Sequence, residues 1–218
     1  GLETAELTKY ASNAFLASKI TFINEIADLC EVVGADVQEV ARGMGLDGRI
    51  GKKFLHVGPG YGGSCFPKDT RALARQGQVA GVPVRIVDAV VAANDDRKNR
   101  MAEKATKAFG GSVSGKTLAV LGLTFKPNTD DVRDSASLVI VPALQKAGAT
   151  IRAYDPEGMD EAKEILEGVA WCGNAYEAME GADGVLILTE WNEFRSLDLA
   201  RMRKLLTAPV MVDFRNIY

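Results

Sequence analysis

From Thr4 to about Val33, apolar residues recur at helical spacing: Leu7, Ala11, Ala14, Phe15, Ile20, Ile23, Ile26, Ala27, Cys30 and Val33. This three- and four-residue repeat predicts a long amphipathic helix, with Thr4 as its N-cap and Gly34 as its stop. Asp36 is placed to cap a short helix through Val40 to about Gly43, before Gly43, Gly45 and Gly48 break the pattern. Another helix is predicted from Asp69 to Val79, ending near Gly81. After Pro83 no breaker occurs until Gly110-Gly111, so Pro83–Phe109 reads as one helix of about 27 residues and about 40 Å. Its first half is apolar (Val84, Ile86, Val87, Val90, Val91) and its second half is charged (Asp95, Asp96, Arg97, Lys98, Arg100). A helix that long exceeds what one small domain needs, which predicts that it bridges domains or subunits.

From Lys116 the pattern changes. Thr117–Gly122 is a short apolar run of the kind that forms a buried parallel strand. Helix Ser137–Ala147, strand Thr150–Tyr154, helix Glu157–Glu167, strand Val169–Cys172, helix Ala175–Met179, strand Gly184–Leu188, helix Leu197–Leu206 and strand Val210–Val212 are then expected in turn. Such alternation predicts a doubly wound α/β domain with a mostly parallel sheet. Residues 1–110 therefore read as helical and residues 111–218 as α/β. Ligands of such sheets bind beyond the carboxyl ends of the strands. Those ends carry residues 124–133, Asp155-Pro156, Thr189-Glu190-Trp191 and Asp213-Phe214-Arg215. Lys126, Arg133 and Arg215 lie among them, suited either to phosphates and carboxylates or to an ordinary charged surface.

Between the helices lies Gly58-Pro59-Gly60-Tyr61-Gly62-Gly63-Ser64-Cys65-Phe66-Pro67-Lys68-Asp69. So dense a run of glycine implies tight turns or a backbone that approaches a ligand closely. A helix beginning near Phe66, with Pro67 in its first turn, sets its positive end beside the Cys65 sulfur and favours thiolate. The stretch also fits a surface loop with an inert cysteine. Lys9 and Asn13, four apart, share one helix face, an arrangement equally usual for a solvated surface.

Composition narrows the function classes. Of 218 residues, 47% are apolar and 25% charged, and the net charge of −3 gives no general nucleic-acid-binding signature. Residues 1–110 carry net +2 and residues 111–218 net −5, in keeping with two units. Cys30, Cys65 and Cys172 are too few and too scattered for a disulfide framework, which favours a reducing cytosol. The single histidine, His56, argues against a zinc site or a Ser-His-Asp hydrolase, and no apolar run reaches membrane-spanning length. No Gly-x-Gly-x-x-Gly fingerprint occurs.

Lys9-Tyr10-Ala11-Ser12-Asn13, Gly60–Asp69, Gly122–Lys126, Asp130–Ser135 and Thr189-Glu190-Trp191 together closely resemble the UDP-glucose 6-dehydrogenase family, its GDP-mannose-oxidising members included. The resemblance covers the central helical dimerisation domain (1–110) and the C-terminal nucleotide-sugar-binding domain (111–218). It implies a longer protein, with a Rossmann domain for NAD outside this sequence. It further implies two successive NAD-dependent oxidations of UDP-glucose to UDP-glucuronate, through a cysteine thiohemiacetal and thioester. Cys65 matches the nucleophile, Lys9 and Asn13 the pair that stabilises the oxyanion and positions water, and Asp69 the carboxylate that helps activate it. Phe54, Leu55, Tyr61 and Gly62 match the wall around the sugar and uridine, and Phe125, Lys126 and Arg215 match nucleotide contacts. Arg49 matches an arginine that reaches the neighbouring subunit's site, which implies a homodimer. Lys68 and Arg133 match contacts to NAD, and His56 is a bystander. GDP-mannose and UDP-N-acetylmannosamine dehydrogenases share the cysteine motif. Without its cofactor domain the chain is expected to bind and dimerise without turnover, as a nucleotide-sugar-binding module.

Overall fold

A computed structural model describes all 218 residues and forms two compact units, Gly1–Arg97 and Lys98–Tyr218. In the first, helix α1 (Leu2–Val33) extends about 48 Å. Gly34 ends it in the left-handed conformation, φ 76°, with its N–H on the Cys30 carbonyl. Thr4 does not cap. It lies inside the helix, where its carbonyl accepts from Thr8 Oγ1 at 2.7 Å, because Leu2 to Glu6 continue the helix beyond its apolar stripe. Asp36 does cap α2 (Val37–Gly45), accepting from the Gln38 amide at 2.8 Å. Helix α3 (Phe66–Val79) opens directly after Cys65, with Pro67 in its first turn.

Helix α4 (Arg85–Ala108) crosses the division between the units. Several of the apolar residues at its start have partners within the chain. Val84 and Val87 pack with Ala14, Leu73 and Ala74, and Val90 with Ala17 and Tyr61. Met101, Ala102 and Ala105 join the core of the second unit. Its apolar half is therefore not all surface, although Ile86 is 74% exposed. Nor is its charged half all surface: Arg97 and Lys98 are buried, and Lys98 Nζ donates to the Asp134 carbonyl at 2.7 Å.

In the second unit, strands β1 (Thr117–Leu121), β2 (Thr150–Tyr154), β3 (Val169–Trp171), β4 (Gly184–Ile187) and β5 (Met211–Asp213) form one parallel sheet in the order β3-β2-β1-β4-β5. Alternate residues feed opposite faces. Leu118, Val120, Ile151, Ala153 and Leu186 pack beneath α5 (Ser137–Lys146) and α6 (Met159–Lys163). Ala119, Leu121, Val185 and Ile187 pack beneath α7 (Ala175–Met179) and α8 (Leu199–Leu205). This is the doubly wound α/β arrangement that strand–helix alternation predicts. The expected helix 157–167 shrinks to five residues, since the Glu157 and Gly158 amides bond to Asp155 instead. The expected helix 197–206 starts two residues later, as α8, because the Asp198 side chain caps the Ala200 and Arg201 amides; a 3-10 turn (Asn192–Ser196) precedes it.

Strand order reverses between β1 and β4, the place where sheets of this kind leave a crevice. Gly122, at φ 92°, sits there so close to Thr189 that a Cβ would fall 2.5 Å from that residue's side chain. Asp155, fully buried at the end of β2, ties the edge together. Its Oδ2 accepts from the amides of Leu123 (2.6 Å) and Thr124 (3.1 Å), from Thr124 Oγ1 (3.2 Å) and from Trp191 Nε1 (3.1 Å). Its Oδ1 accepts from the Glu157 and Gly158 amides. Next to it, burial and the neighbouring Glu193, Asp155 and Glu157 carboxylates push the Tyr154 phenol up to about 12.

Asp155→Ala leaves all these donors unsatisfied and is expected to lower the unfolding free energy by more than about 3 kcal/mol in urea denaturation. A raised phenol binds its proton more tightly in the folded state. Its stabilisation is therefore complete below the ordinary value of 10.0 and is lost as pH rises from there through about 12. Phenolate absorbance should show a late-titrating tyrosine that Tyr154→Phe removes.

Candidate active site

In the first unit α1 and α3 pack together, and three of the four residues matched to the chemistry meet there. Asp69 is 0% exposed in the first turn of α3. Asn13 Nδ2 donates to its Oδ2 at 2.6 Å, and Lys9 Nζ lies 3.9 Å from the same oxygen. Lys68 Nζ is 3.5 Å from Oδ1. The Asn13 bond, to a buried anion, is the strong one. The two lysines remain largely in solvent, where ion pairs contribute little. Lys9 and Asn13, indistinguishable by spacing from a solvated face, are thus turned toward the helix that follows Cys65.

Cys65 stands one helical turn before Asp69, whose amide donates to the Cys65 carbonyl at 2.8 Å. Its thiol is free and exposed, 3.7 Å from Ser64 Oγ, while Cys30 and Cys172 are buried. The arrangement offers an accessible sulfur at a helix N-terminus and, one turn on, a carboxylate that fixes an amide donor beside an ammonium group. Such groups can form and stabilise a covalent adduct with a carbonyl.

The residues matched to the sugar wall divide. Phe54 is half-buried and holds a left-handed backbone, φ 65°, which costs a residue with a Cβ roughly 1–2 kcal/mol. Its ring is 6.0 Å from Phe66, which meets Tyr61 edge-on at 6.1 Å. Phe54, Phe66 and Tyr61 thus form one aromatic chain leading to the residue after Cys65. Leu55 is packed into a core of Ile23, Ala27, Ala41 and Val57, and Gly62 is buried. Arg49 lies on an exposed turn where its guanidinium forks onto Asp47, at 3.0 Å and 2.6 Å. That bond raises the arginine and holds the Asp47 carboxyl below its usual range.

Three buried residues beneath the glycine loop escape sequence reasoning. Asn24 Oδ1 accepts from the Gly58 amide at 2.9 Å, and Arg97 Nε donates to the Gly58 carbonyl at 2.6 Å. Asn94 takes both backbone groups of Tyr61, accepting from its N–H at 2.8 Å and donating to its carbonyl at 3.2 Å. A signal for them exists. Val87, Val90, Asn94, Arg97, Met101 and Ala105 follow one another at three- and four-residue steps, so the two polar residues continue the buried stripe.

In the second unit Lys126 lies over the Phe125 ring, 5.3 Å from its centre, in the loop after β1. Arg215 pairs with Glu190, both largely buried beyond β5 and β4. Arg133 forks onto Asp131 at 2.9 Å and 2.8 Å, and that bond lowers the aspartate against the opposing effect of burial. Arg133 lines a cleft of ≈350 Å³ with Asp130, Asp131, Val132, Glu161 and Ile165.

A dinucleotide would need free amides at the turn after β1 to receive its pyrophosphate. Here the Leu123 and Thr124 amides bond to the Asp155 carboxylate, and the Arg133 cleft is rimmed by three further carboxylates. These residues do not form a pyrophosphate cradle. Lys68 and Arg133 suit only single contacts to an anionic group.

Residues 3–96 match the model for the central domain of the UDP-glucose/GDP-mannose dehydrogenase family, and residues 119–218 match that for its UDP binding domain. The chain is 61% identical over 215 residues to a UDP-glucose 6-dehydrogenase of Rhizobium meliloti, covering 99% of this chain and 49% of that one. It is 51% identical to a UDP-glucose 6-dehydrogenase of Bacillus subtilis, over 100% of this chain and 47% of that one. It therefore spans about half the length of these relatives. Among solved structures, a UDP-glucose dehydrogenase from Pyrobaculum islandicum superposes with a TM-score of 0.89 at 39% identity, over 98% of this chain and 48% of that one. No helix is long and apolar enough to cross a membrane. With two domains of one family matched in order along nearly all of its length, the chain belongs to the UDP-glucose/GDP-mannose dehydrogenase family.

Proposed function

We propose that this chain carries the nucleophile and the sugar-nucleotide contacts of an NAD-dependent dehydrogenase that converts UDP-glucose to UDP-glucuronate. The observation that carries this reading is the buried Asp69 bound to Asn13 beside Lys9, one turn from the exposed Cys65. NAD, held mainly outside these residues with Lys68 and Arg133 as outer contacts, would accept two hydrides. The Cys65 sulfur adds to the aldehyde carbon formed in the first oxidation, giving a thiohemiacetal. Loss of the second hydride leaves a thioester. Water then adds, the C–S bond breaks, and the thiolate and a carboxylate are released. Lys9 and Asn13 stabilise the oxyanion of each tetrahedral species. Asp69 fixes the Asn13 amide and helps draw a proton from the attacking water. Phe54, Leu55, Tyr61 and Gly62 border the sugar and uridine, while Phe125, Lys126 and Arg215 make further contacts to the nucleotide. A reducing cytosol, where Cys65 stays a free thiol, suits this chemistry.

We also infer a homodimer, with Arg49 reaching the neighbouring copy's site. Its seam is assigned to α1 rather than α4. Leu7, Phe15, Phe22 and Leu29 are 48% to 67% exposed and recur every seven or eight residues, the period of a helix–helix seam.

Calorimetric titration is expected to show that the chain binds UDP-glucose in preference to GDP-mannose and, on its own, reduces no NAD. Preference for GDP-mannose, binding of neither, or NADH formation by the chain alone overturns the corresponding part of the proposal. In analytical ultracentrifugation the double change Phe15→Glu and Phe22→Glu should yield monomer, whereas Ile86→Glu on the exposed side of α4 should leave the dimer intact.

A further inference from the structure

We propose that Asn94 and Arg97 are positioning residues for sugar recognition. They hold residues 58–61 in the one conformation that presents Tyr61 and Gly62 to the sugar and sets Cys65 at the head of α3. This role rests on the dehydrogenase reading above.

Residues 57–63 are mostly buried yet belong to no helix or strand, so their peptide groups lack the partners that regular structure provides. Gly60 and Gly63 take φ of 121° and 81°, and a chain this rich in glycine has the most freedom to lose on ordering. Asn94, 3% exposed, pairs with both backbone groups of Tyr61, as an adjacent strand would. Arg97, 4% exposed, spreads one rigid fork over three acceptors: the Gly58 carbonyl at 2.6 Å, the Asn24 carbonyl at 2.8 Å and Asp28 Oδ1 at 3.1 Å. Asn24 closes the frame by accepting from the Gly58 amide.

The frame has a path to the nucleophile. Tyr61, fixed through its backbone by Asn94, meets Phe66 edge-on, and Phe66 follows Cys65 directly and contacts the strained Phe54. A loop released at Tyr61 frees both the sugar wall and the aromatic support of the Cys65 turn. A residue that served only to stabilise the fold would affect every ligand alike. Asn94 and Arg97, holding the loop that carries the sugar wall, affect UDP-glucose more than UDP.

The test compares the wild-type chain with Asn94→Ala and with Arg97→Lys, which keeps the charge but reaches fewer acceptors. Calorimetry with UDP-glucose and with UDP is expected to show UDP-glucose weakened roughly tenfold by Asn94→Ala, and less by Arg97→Lys, with UDP weakened less than UDP-glucose in both. Alkylation by iodoacetamide reports on Cys65 alone among the cysteines of the folded chain, because Cys30 and Cys172 are buried. Its rate is expected to shift at least about threefold in Asn94→Ala, as the turn loses its support. If Asn94→Ala does not fold, Arg97→Lys decides by the same readings. Equal weakening of UDP and UDP-glucose, or no change in UDP-glucose binding by a folded variant, overturns the proposal. Failure of the wild-type chain to bind either ligand overturns the dehydrogenase reading instead. In that case alkylation decides, and unchanged rates in both variants sink the positioning role.

Discussion

A backbone that is buried without regular structure must still satisfy its amides and carbonyls, and the first unit is organised by that requirement. The glycine loop runs through the interior, where each unpaired peptide group costs as much as a lost hydrogen bond. Asn24 from α1 and Asn94 and Arg97 from α4 meet the need with side-chain amide and guanidinium groups. Once the loop is held, α3 begins where its last glycine ends. That start carries Cys65 to the surface and, one turn later, buries Asp69 against Asn13. Thiol and carboxylate are therefore separated by one helical turn whose origin is fixed from below.

The second unit solves a similar problem with the opposite charge. At the crevice where strand order reverses, the amides after β1 would otherwise be exposed donors waiting for an anion. Asp155 supplies that anion from within the protein. The consequence is chemical as well as structural. With those amides occupied, the positive groups at this edge are side chains such as Lys126 and Arg215, the first exposed over an aromatic ring and the second held by Glu190.

Much of the second unit was legible because a buried parallel strand and its neighbouring helix leave different periods. Strand Thr150–Tyr154 and helix Ala175–Met179 fall where the pattern places them. Errors gathered where side chains compete for backbone groups. Asp155 moved the start of α6 by taking two amides, and Asp198 moved the start of the last helix by capping it. In the first unit, periodicity located every helix but misjudged α4. Its charged half gave no sign of burial, whereas Arg97 lies inside on a loop carbonyl and Lys98 inside on the Asp134 carbonyl. Of the candidate site, Cys65 and the loop stood out by composition. Lys9 and Asn13 became recognisable only through the family motif, since a pair four residues apart carries no information about what the face meets. Asn24 and Asn94 were missed because a single polar residue in an apolar stripe looks like noise until the loop it serves is seen.

Taken as chemistry, the distribution of bonding capacity divides the labour. Where the family's reaction needs an accessible nucleophile and fixed donors, this chain leaves a thiol exposed and anchors an amide on a buried carboxylate. A pyrophosphate would need free amides at a strand end, but there the chain has already given them to Asp155. A single sheet edge cannot both satisfy itself with an internal carboxylate and receive a second anion on the same amides. Any anion at this edge, a diphosphate included, must therefore be met by side chains rather than by these two amides.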